Sequence, residues 1–198
     1  MSEHNERGVR IYEKARKFAL IAHGGQTRKY PDKDGNDIPY VNHPMSVSKR
    51  VRHYVALDGF LTLEVYILQA AAMLHDVIED TDFTKEDLWV GVDPLVASYV
   101  DQLTNVPKSF GNRKERQEFQ NIKLKFAVDS VKFLKVLDRL DNLSDDGIVD
   151  NDPKFAKVYL NETDELIKTV KQNTENNAVL AAINDLERVV KKLRGRLS

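Results

Sequence analysis

The run from Val65 to Leu74 contains no charged residue, and it is bordered by Glu64 on one side and His75 on the other. A helix that is apolar around its whole circumference has to be buried on all sides. The segment 62–78 is therefore predicted to be a central helix, around which the rest of a helical domain packs.

The rest of the chain also favours helices. Apolar residues recur at helical spacing in most segments, and strand-like alternation never persists beyond a few residues. We therefore predict an all-α fold: one compact multi-helix bundle over 1–198, with its core at about 6–172 and a C-terminal helix at about 176–194. The helix SVKFLKVLDRLDNLSDDG is expected to end at Asp145-Asp146-Gly147. The last two helices are expected to pack within the chain, although a homo-oligomer is possible.

One stretch in the N-terminal half departs from the helical pattern. GGQTRKYPDKDGNDIPYVNHP is rich in glycine, proline, aspartate and asparagine. This composition predicts a long loop, or a loop with a short hairpin around Asp34-Gly35. A loop of this length is usually functional or mobile.

Composition excludes several classes of protein. The chain has no cysteine, which excludes disulfides, thiolate metal sites and cysteine catalysis. Its net charge of −1 gives no global sign of nucleic-acid binding. No stretch approaches the roughly 20 apolar residues that span a bilayer. We expect a cytoplasmic protein that binds neither nucleic acid nor membrane. Local basic clusters, such as the one around 108–116, are each explained as a solvated face, but two or three of them together could hold a small polyanion.

Polar side chains follow the uncharged run directly. Residues four apart share a helix face, so His75 should neighbour Glu79, and Asp76 should neighbour Asp80. Carboxylates at the C-terminal end of a helix are unfavourable by about 0.3–1 kcal/mol each unless something compensates them. A bound cation would compensate them, which predicts a metal site; the alternative is that these acids are merely solvated.

Two more residues could complete such a site. His43 lies in PYVNHP, where a loop or cap role is the alternative, and Asp138 lies in the apolar helix FLKVLDRLDNL. A buried aspartate is costly unless it is paired or bound to a metal, so a salt bridge is the alternative for Asp138. Two imidazoles with two carboxylates suit Mn²⁺, Fe²⁺ or Zn²⁺.

Four blocks give the chain a family resemblance: FALIAHGGQTRK, PYVNHPMSV, AAMLHDVIEDT and LKVLDRLDNL. In this order they resemble the hydrolase domain of the Rel/Spo alarmone enzymes, within the histidine–aspartate (HD) phosphohydrolase superfamily. The likeness spans about 10–145 and implies an HD-domain bundle. It is greatest to the stand-alone small hydrolases, such as the metazoan SpoT homologues, because the chain leaves no room for a synthetase domain.

The resemblance also implies roles for individual residues. The implied metal ligands, usually of Mn²⁺, are His43, His75, Asp76 and Asp138. Glu79 and Asp80 match the acidic pair that positions and deprotonates the attacking water. The implied nucleotide contacts are Arg28, Lys29, Asn142 and Tyr159, although Tyr159 is also explained as a packing residue. His23 is expected to make a supporting hydrogen bond.

The implied reaction removes the 3′-pyrophosphate of guanosine tetra- or pentaphosphate, leaving GDP or GTP. Two alternatives stay open: a phosphatase of another nucleotide, including the 2′-phosphate of NADPH, and a non-catalytic domain that binds a nucleotide or protein. Relatives often carry His or Tyr in place of Asp141 and a basic residue near Ser144. Both differences are expected to make the pocket more acidic.

Overall fold

The computed structural model describes residues 3–55, 62–144 and 147–197. The predicted all-α class is confirmed, because the described residues form eleven α-helices, a short 3₁₀ helix at Lys108–Phe110 and a single β-bridge between Thr27 and Pro39. The α-helices are α1 Glu3–Ala22, α2 Asn42–Tyr54, α3 Thr62–Leu74, α4 Val77–Asp80, α5 Lys85–Gly91, α6 Pro94–Leu103, α7 Arg113–Phe126, α8 Asp129–Ser144, α9 Gly147–Asn151, α10 Pro153–Lys171 and α11 Asn177–Arg196.

Helix α3 is the central helix that the uncharged run predicts. Every residue from Ile67 to Leu74 is buried, and α3 contacts α1, α2, α6 and α8. It ends earlier than predicted, however. His75 and Asp76 form a turn, and the chain then resumes as the short helix α4. The prediction of one continuous helix over 62–78 is therefore wrong, and the turn separates the two halves of the polar cluster.

Helix α8 lies beside α3 and is also buried along most of its length, from Ser130 to Asp141. It carries Asp138 into the centre of the domain. Asp145 and Asp146, at its predicted end, lie outside the described residues, and Gly147 begins α9.

Helix α11 covers the outer side of α8 and also contacts α2 and α10. Its apolar residues Ile183, Leu186 and Leu193 are buried, and the Tyr54 hydroxyl on α2 donates to Asp185 Oδ2 at 2.7 Å. The apolar face of the last helix is thus buried within the chain, as expected. No helix in the described ranges is both long enough and apolar enough to cross a bilayer.

The long loop between α1 and α2 forms a hairpin. The Arg28 amide donates to Ile38 O at 2.8 Å, and the Tyr40 amide donates to Gln26 O at 2.9 Å. Gly35 has a φ of +83°, which permits the tight turn at the tip. Of the two alternatives, the structure therefore has the loop with a hairpin, and the backbone pairing places Arg28 and Tyr40 beside the start of α2.

Candidate metal centre

Four side-chain atoms from three parts of the chain meet at one point. His43 Nε2 on α2 lies 3.2 Å from Asp138 Oδ1 on α8 and 3.8 Å from Asp76 Oδ2. His75 Nε2 lies 2.9 Å from Asp76 Oδ2 and 3.4 Å from Asp138 Oδ1. The structure thus places the predicted ligand set side by side, and His43, His75 and Asp76 already satisfy the spacing needed to hold a metal ion.

Both imidazoles are turned so that Nε2 faces this centre. His75 Nδ1 lies 2.7 Å from Ala72 O, and His43 Nδ1 lies 2.8 Å from Asp141 Oδ2. Because both partners accept, each Nδ1 carries the hydrogen and each Nε2 presents its lone pair when the ring is neutral. His75 Nε2 is buried, and although Asp76 Oδ2 is 2.9 Å away, the nitrogen makes no hydrogen bond within the described residues. Metal-bound histidines usually have this arrangement.

The charges of the cluster favour a cation. Burial opposes ionisation of Asp138, but Lys135, His43 and His75 hold the pKa of its carboxyl well below the usual range. Burial also lowers the pKa of His75, yet the carboxylates of Asp76 and Asp138 raise it well above the ordinary value. The same carboxylates would attract a divalent ion in place of the imidazole protons. The residues therefore fit a metal.

Asp141 does not make the pocket acidic, so that expectation is wrong. Its carboxylate is buried and accepts hydrogen bonds from Ser46 Oγ at 2.6 Å and Arg50 Nε at 2.8 Å, besides its contact with His43. The Ser144 hydroxyl donates to Leu140 O at 2.6 Å. Neither residue lines the cleft, because both lie at the C-terminal end of α8 on other faces.

The acidic pair on α4 borders the ligand cluster. Glu79 accepts from the backbone amide of Asn105 at 3.2 Å and from its side-chain amide at 3.0 Å. The Tyr40 hydroxyl lies 2.5 Å from Asp76 Oδ2 and 3.2 Å from Asp80 Oδ2. Burial and the negative charges of Asp76 and Glu79 raise the pKa of Asp80.

These groups form one wall of a cavity of about 740 Å³. A second cavity of about 310 Å³ adjoins it and is lined by all four predicted nucleotide contacts: Arg28, Lys29, Asn142 and Tyr159. Tyr40 and Arg113 are among the residues that line both, so the two cavities form one cleft. Arg28 Nη2 donates to Asn142 Oδ1 at 3.1 Å, and Asn142 Nδ2 donates to Asp138 Oδ1 at 2.7 Å.

The cleft is bordered by basic side chains as well. Lys108, Arg113 and Arg116 line the larger cavity. Lys114 does not, because it points outwards and lies 3.8 Å from Glu118 on its own helix. Aromatic rings form the other border, where Phe155 and Tyr159 stack with their centroids 5.7 Å apart.

Some residues of the site carry no recognisable sequence signal. Asn105 follows α6 in an ordinary loop, and only the fold brings it to Glu79. Tyr40 lies two residues before Asn42 in the PYVNHP block, but its bridging position requires the hairpin. His23 has the expected supporting role: its Nδ1 lies 2.9 Å from Gln26 Oε1, and the Gln26 amide donates to Asp80 O at 3.2 Å.

Comparisons with known proteins agree with this geometry. No protein-family model matches the chain. A Drosophila melanogaster protein named guanosine-3′,5′-bis(diphosphate) 3′-pyrophosphohydrolase MESH1 is 35% identical over 131 residues, 65% of each chain. A Vibrio cholerae guanosine-3′,5′-bis(diphosphate) 3′-pyrophosphohydrolase is 36% identical over 140 residues, 69% of this chain but 18% of that protein. The match to the Drosophila protein thus spans less than two thirds of that relative.

A solved structure shares the fold over almost the whole chain. It is described as a metazoan orthologue of SpoT that hydrolyses ppGpp and plays a role in starvation responses. The two structures align with a TM-score of 0.72 at 26% identity, over 93% of this chain and 96% of the other. The sequence resemblance and the helical fold are therefore confirmed.

Proposed function

Because the chain is a homologue of the Rel/Spo-type alarmone hydrolases, we propose that it hydrolyses the 3′-pyrophosphate of guanosine tetra- and pentaphosphate to give pyrophosphate with GDP or GTP. The observation that carries the proposal is the position of Glu79 and Asp80, which line the same cavity as Asp76 and Asp138. A domain that only bound nucleotides would have no need of acids beside a metal cluster.

We propose that His43, His75, Asp76 and Asp138 hold the metal, with Mn²⁺ the preferred ion. When bound, a divalent ion supplies Lewis-acid chemistry: it withdraws charge from phosphoryl oxygens and makes water more acidic. Asp141 and Ala72 O fix the two imidazoles for this role.

The acidic pair has two different tasks in this proposal. Asp80 accepts the proton of the attacking water, because its carboxylate lines the same cavity as Asp76 and Asp138. Glu79 orients the water, since the backbone and side-chain amides of Asn105 donate three hydrogen bonds that hold its carboxylate in place. The bond between phosphorus and the ribose 3′ oxygen breaks, the water oxygen leaves with the pyrophosphate, and the 3′ oxygen takes up the proton that Asp80 accepted.

The smaller cavity receives the nucleoside. The planar guanidinium of Arg28 can stack on a guanine, and Lys29 adds a positive charge beside it. Lys29 Nζ is 5.0 Å from the Phe155 ring centroid, so the cation and the aromatic ring share this wall. Asn142 joins the two ends of the cleft, because it contacts both Arg28 and Asp138.

The proposal is tested by incubating the metal-loaded protein with guanosine tetraphosphate and following GDP and pyrophosphate. We expect Mn²⁺-dependent release that is abolished in Asp76→Ala. In Glu79→Ala, release should be slow while metal binding is kept. Release of single phosphate from other nucleotides, without turnover of the alarmone, would show that the chain is a phosphatase of another class.

A further inference from the structure

Helix α8 presents two buried cations to the larger cavity. Lys135 is 9% exposed and Arg139 is 4% exposed, and both line the cavity together with Glu79 and Asp138. They lie four residues apart, which separates them by about 6 Å along one helix face.

Lys135 lies next to the metal cluster. Its Nζ is 3.3 Å from Asp138 Oδ2. The other oxygen of the same carboxylate, Oδ1, faces the two imidazoles. Lys135 therefore neutralises the Oδ2 side of the Asp138 carboxylate. Its side chain also lines the cavity that would receive the phosphoryl group under attack.

Arg139 has no carboxylate partner in the part of the chain that the structure describes. Its Nη1 donates to Thr163 Oγ1 at 2.8 Å and to Tyr159 O at 3.4 Å, and its guanidinium lies 4.0 Å from the Tyr159 ring centroid. Its Nε is buried without a hydrogen-bond partner among the described residues. A buried cation without a counterion is costly, and an anionic ligand in the cavity would remove the cost.

We propose that Lys135 and Arg139 bind the two phosphates of the substrate's 3′-pyrophosphate group, with Arg139 binding the terminal phosphate. This inference rests on the proposed function and extends it to substrate selection. The phosphate under attack would lie at the metal cluster, beside Lys135, and the second phosphate would lie one helix turn further, beside Arg139. A substrate with a single phosphate ester leaves Arg139 without its anion, so the pair selects pyrophosphate esters over monophosphate esters.

Kinetics of two Arg139 variants test the selection. Arg139→Gln keeps an amide donor near Thr163 but removes the charge, and Arg139→Lys keeps the charge. For guanosine tetraphosphate, we expect Arg139→Gln to raise KM about tenfold or more, because the variant loses one charge-assisted hydrogen bond to the substrate. Arg139→Lys should recover part of this loss. If the wild type turns over the alarmone and Arg139→Gln leaves KM unchanged, the inference about Arg139 is wrong, while the proposed function stands.

A binding measurement tests the site without turnover. In ¹⁵N-labelled protein with Mg²⁺, the Nε–H signal of Arg139, assigned with Arg139→Lys, should shift on addition of inorganic pyrophosphate. Inorganic phosphate should need a concentration at least about tenfold higher. A shift in a protein that fails to hydrolyse the alarmone would reject the proposed function and keep the phosphate site. No shift, together with normal pyrophosphate affinity in Lys135→Met, would reject the site.

Helix α8 offers a matched control for Lys135. Lys132 is buried to a similar degree, at 6% exposure, but its Nζ contacts Asp129 and Asn173 O, away from the cleft. Lys132→Met should therefore reduce stability without changing pyrophosphate affinity, whereas Lys135→Met should weaken that affinity about tenfold or more. Equal affinity losses in the two variants would count against the inference.

Discussion

The carboxylate of Asp141 contacts His43, Ser46 and Arg50, and through His43 it fixes one imidazole of the candidate metal centre. Residues that orient a metal-bound histidine typically contribute about 10–100-fold to metal affinity. We therefore expect Asp141→Asn to weaken Mn²⁺ binding by about this factor in a chelator-competition titration. Ser144→Ala, on the same helix but outside the cleft, is the control and should bind Mn²⁺ normally.

Asp141 also makes stability depend on pH. Burial opposes its ionisation, but hydrogen bonds from His43, Ser46 and Arg50 lower its pKa in the folded protein. At this side chain, the folded state therefore binds fewer protons than the unfolded state, in which an aspartate has a pKa of about 3.9. The stabilisation is present above that pH and is lost as pH falls through the lowered folded value.

The pH dependence can be measured by urea unfolding of metal-free protein at neutral and acidic pH. At neutral pH, Asp141→Asn should be less stable than the wild type, and the difference should shrink as pH falls below about 4. A difference that stays constant with pH would mean that Asp141 contributes through packing rather than through its charge.

The residues proposed to hold the metal stand out in the sequence, because their types and spacing are distinctive. His75 and Asp76 end an uncharged run, and Asp138 interrupts an apolar helix. The sequence alone places Asp141 wrongly in the pocket, because its partners lie on α2, far away in sequence. Only the packing of α2 against α8 shows that its charge is used inside the domain.

The break after α3 cannot be predicted from the spacing of apolar residues in the sequence. The segment has no glycine or proline to end the helix at Leu74. Instead, His75 turns its Nδ1 back to Ala72 O, and Asp76 precedes a new short helix. The helix is ended by the geometry of the site, which depends on contacts with α2 and α8.

The contact between α1 and α3 depends on one glycine. A Cβ added to Gly8 would lie 2.3 Å from Tyr66 Cδ2, whereas a Cβ added to Gly195 in α11 would meet nothing within 4 Å. Gly8→Ala should destabilise the protein by about 1–3 kcal/mol through overpacking. Gly195→Ala should be neutral or stabilising by up to about 1 kcal/mol through helix propensity. Thermal unfolding of both variants measures the contrast, and equal effects would contradict it.

The candidate metal centre connects elements that are distant in sequence. Its proposed ligand atoms come from α2, the turn after α3, and α8. A metal that binds only the folded state should stabilise it, by about 2.7 kcal/mol when the free ion is at 100 times its Kd. Mn²⁺ should therefore raise the Tm of the wild type.

The matched variant is Asp138→Asn, which removes one ligand charge from the centre. Its Tm should rise much less than that of the wild type on addition of Mn²⁺, in the same buffer and at the same ion concentration. Equal rises in the two proteins would show that the ion binds elsewhere.

The hairpin between α1 and α2 has a consequence for how related chains can diverge. Its base is fixed by the pairing of Arg28 with Ile38 and of Tyr40 with Gln26, while residues 33–37 at its tip are exposed. Exposed tips of this kind tolerate insertions and deletions. Evolution can therefore lengthen or shorten this tip freely, and a reporter label inserted there should leave the chemistry of the neighbouring cleft intact.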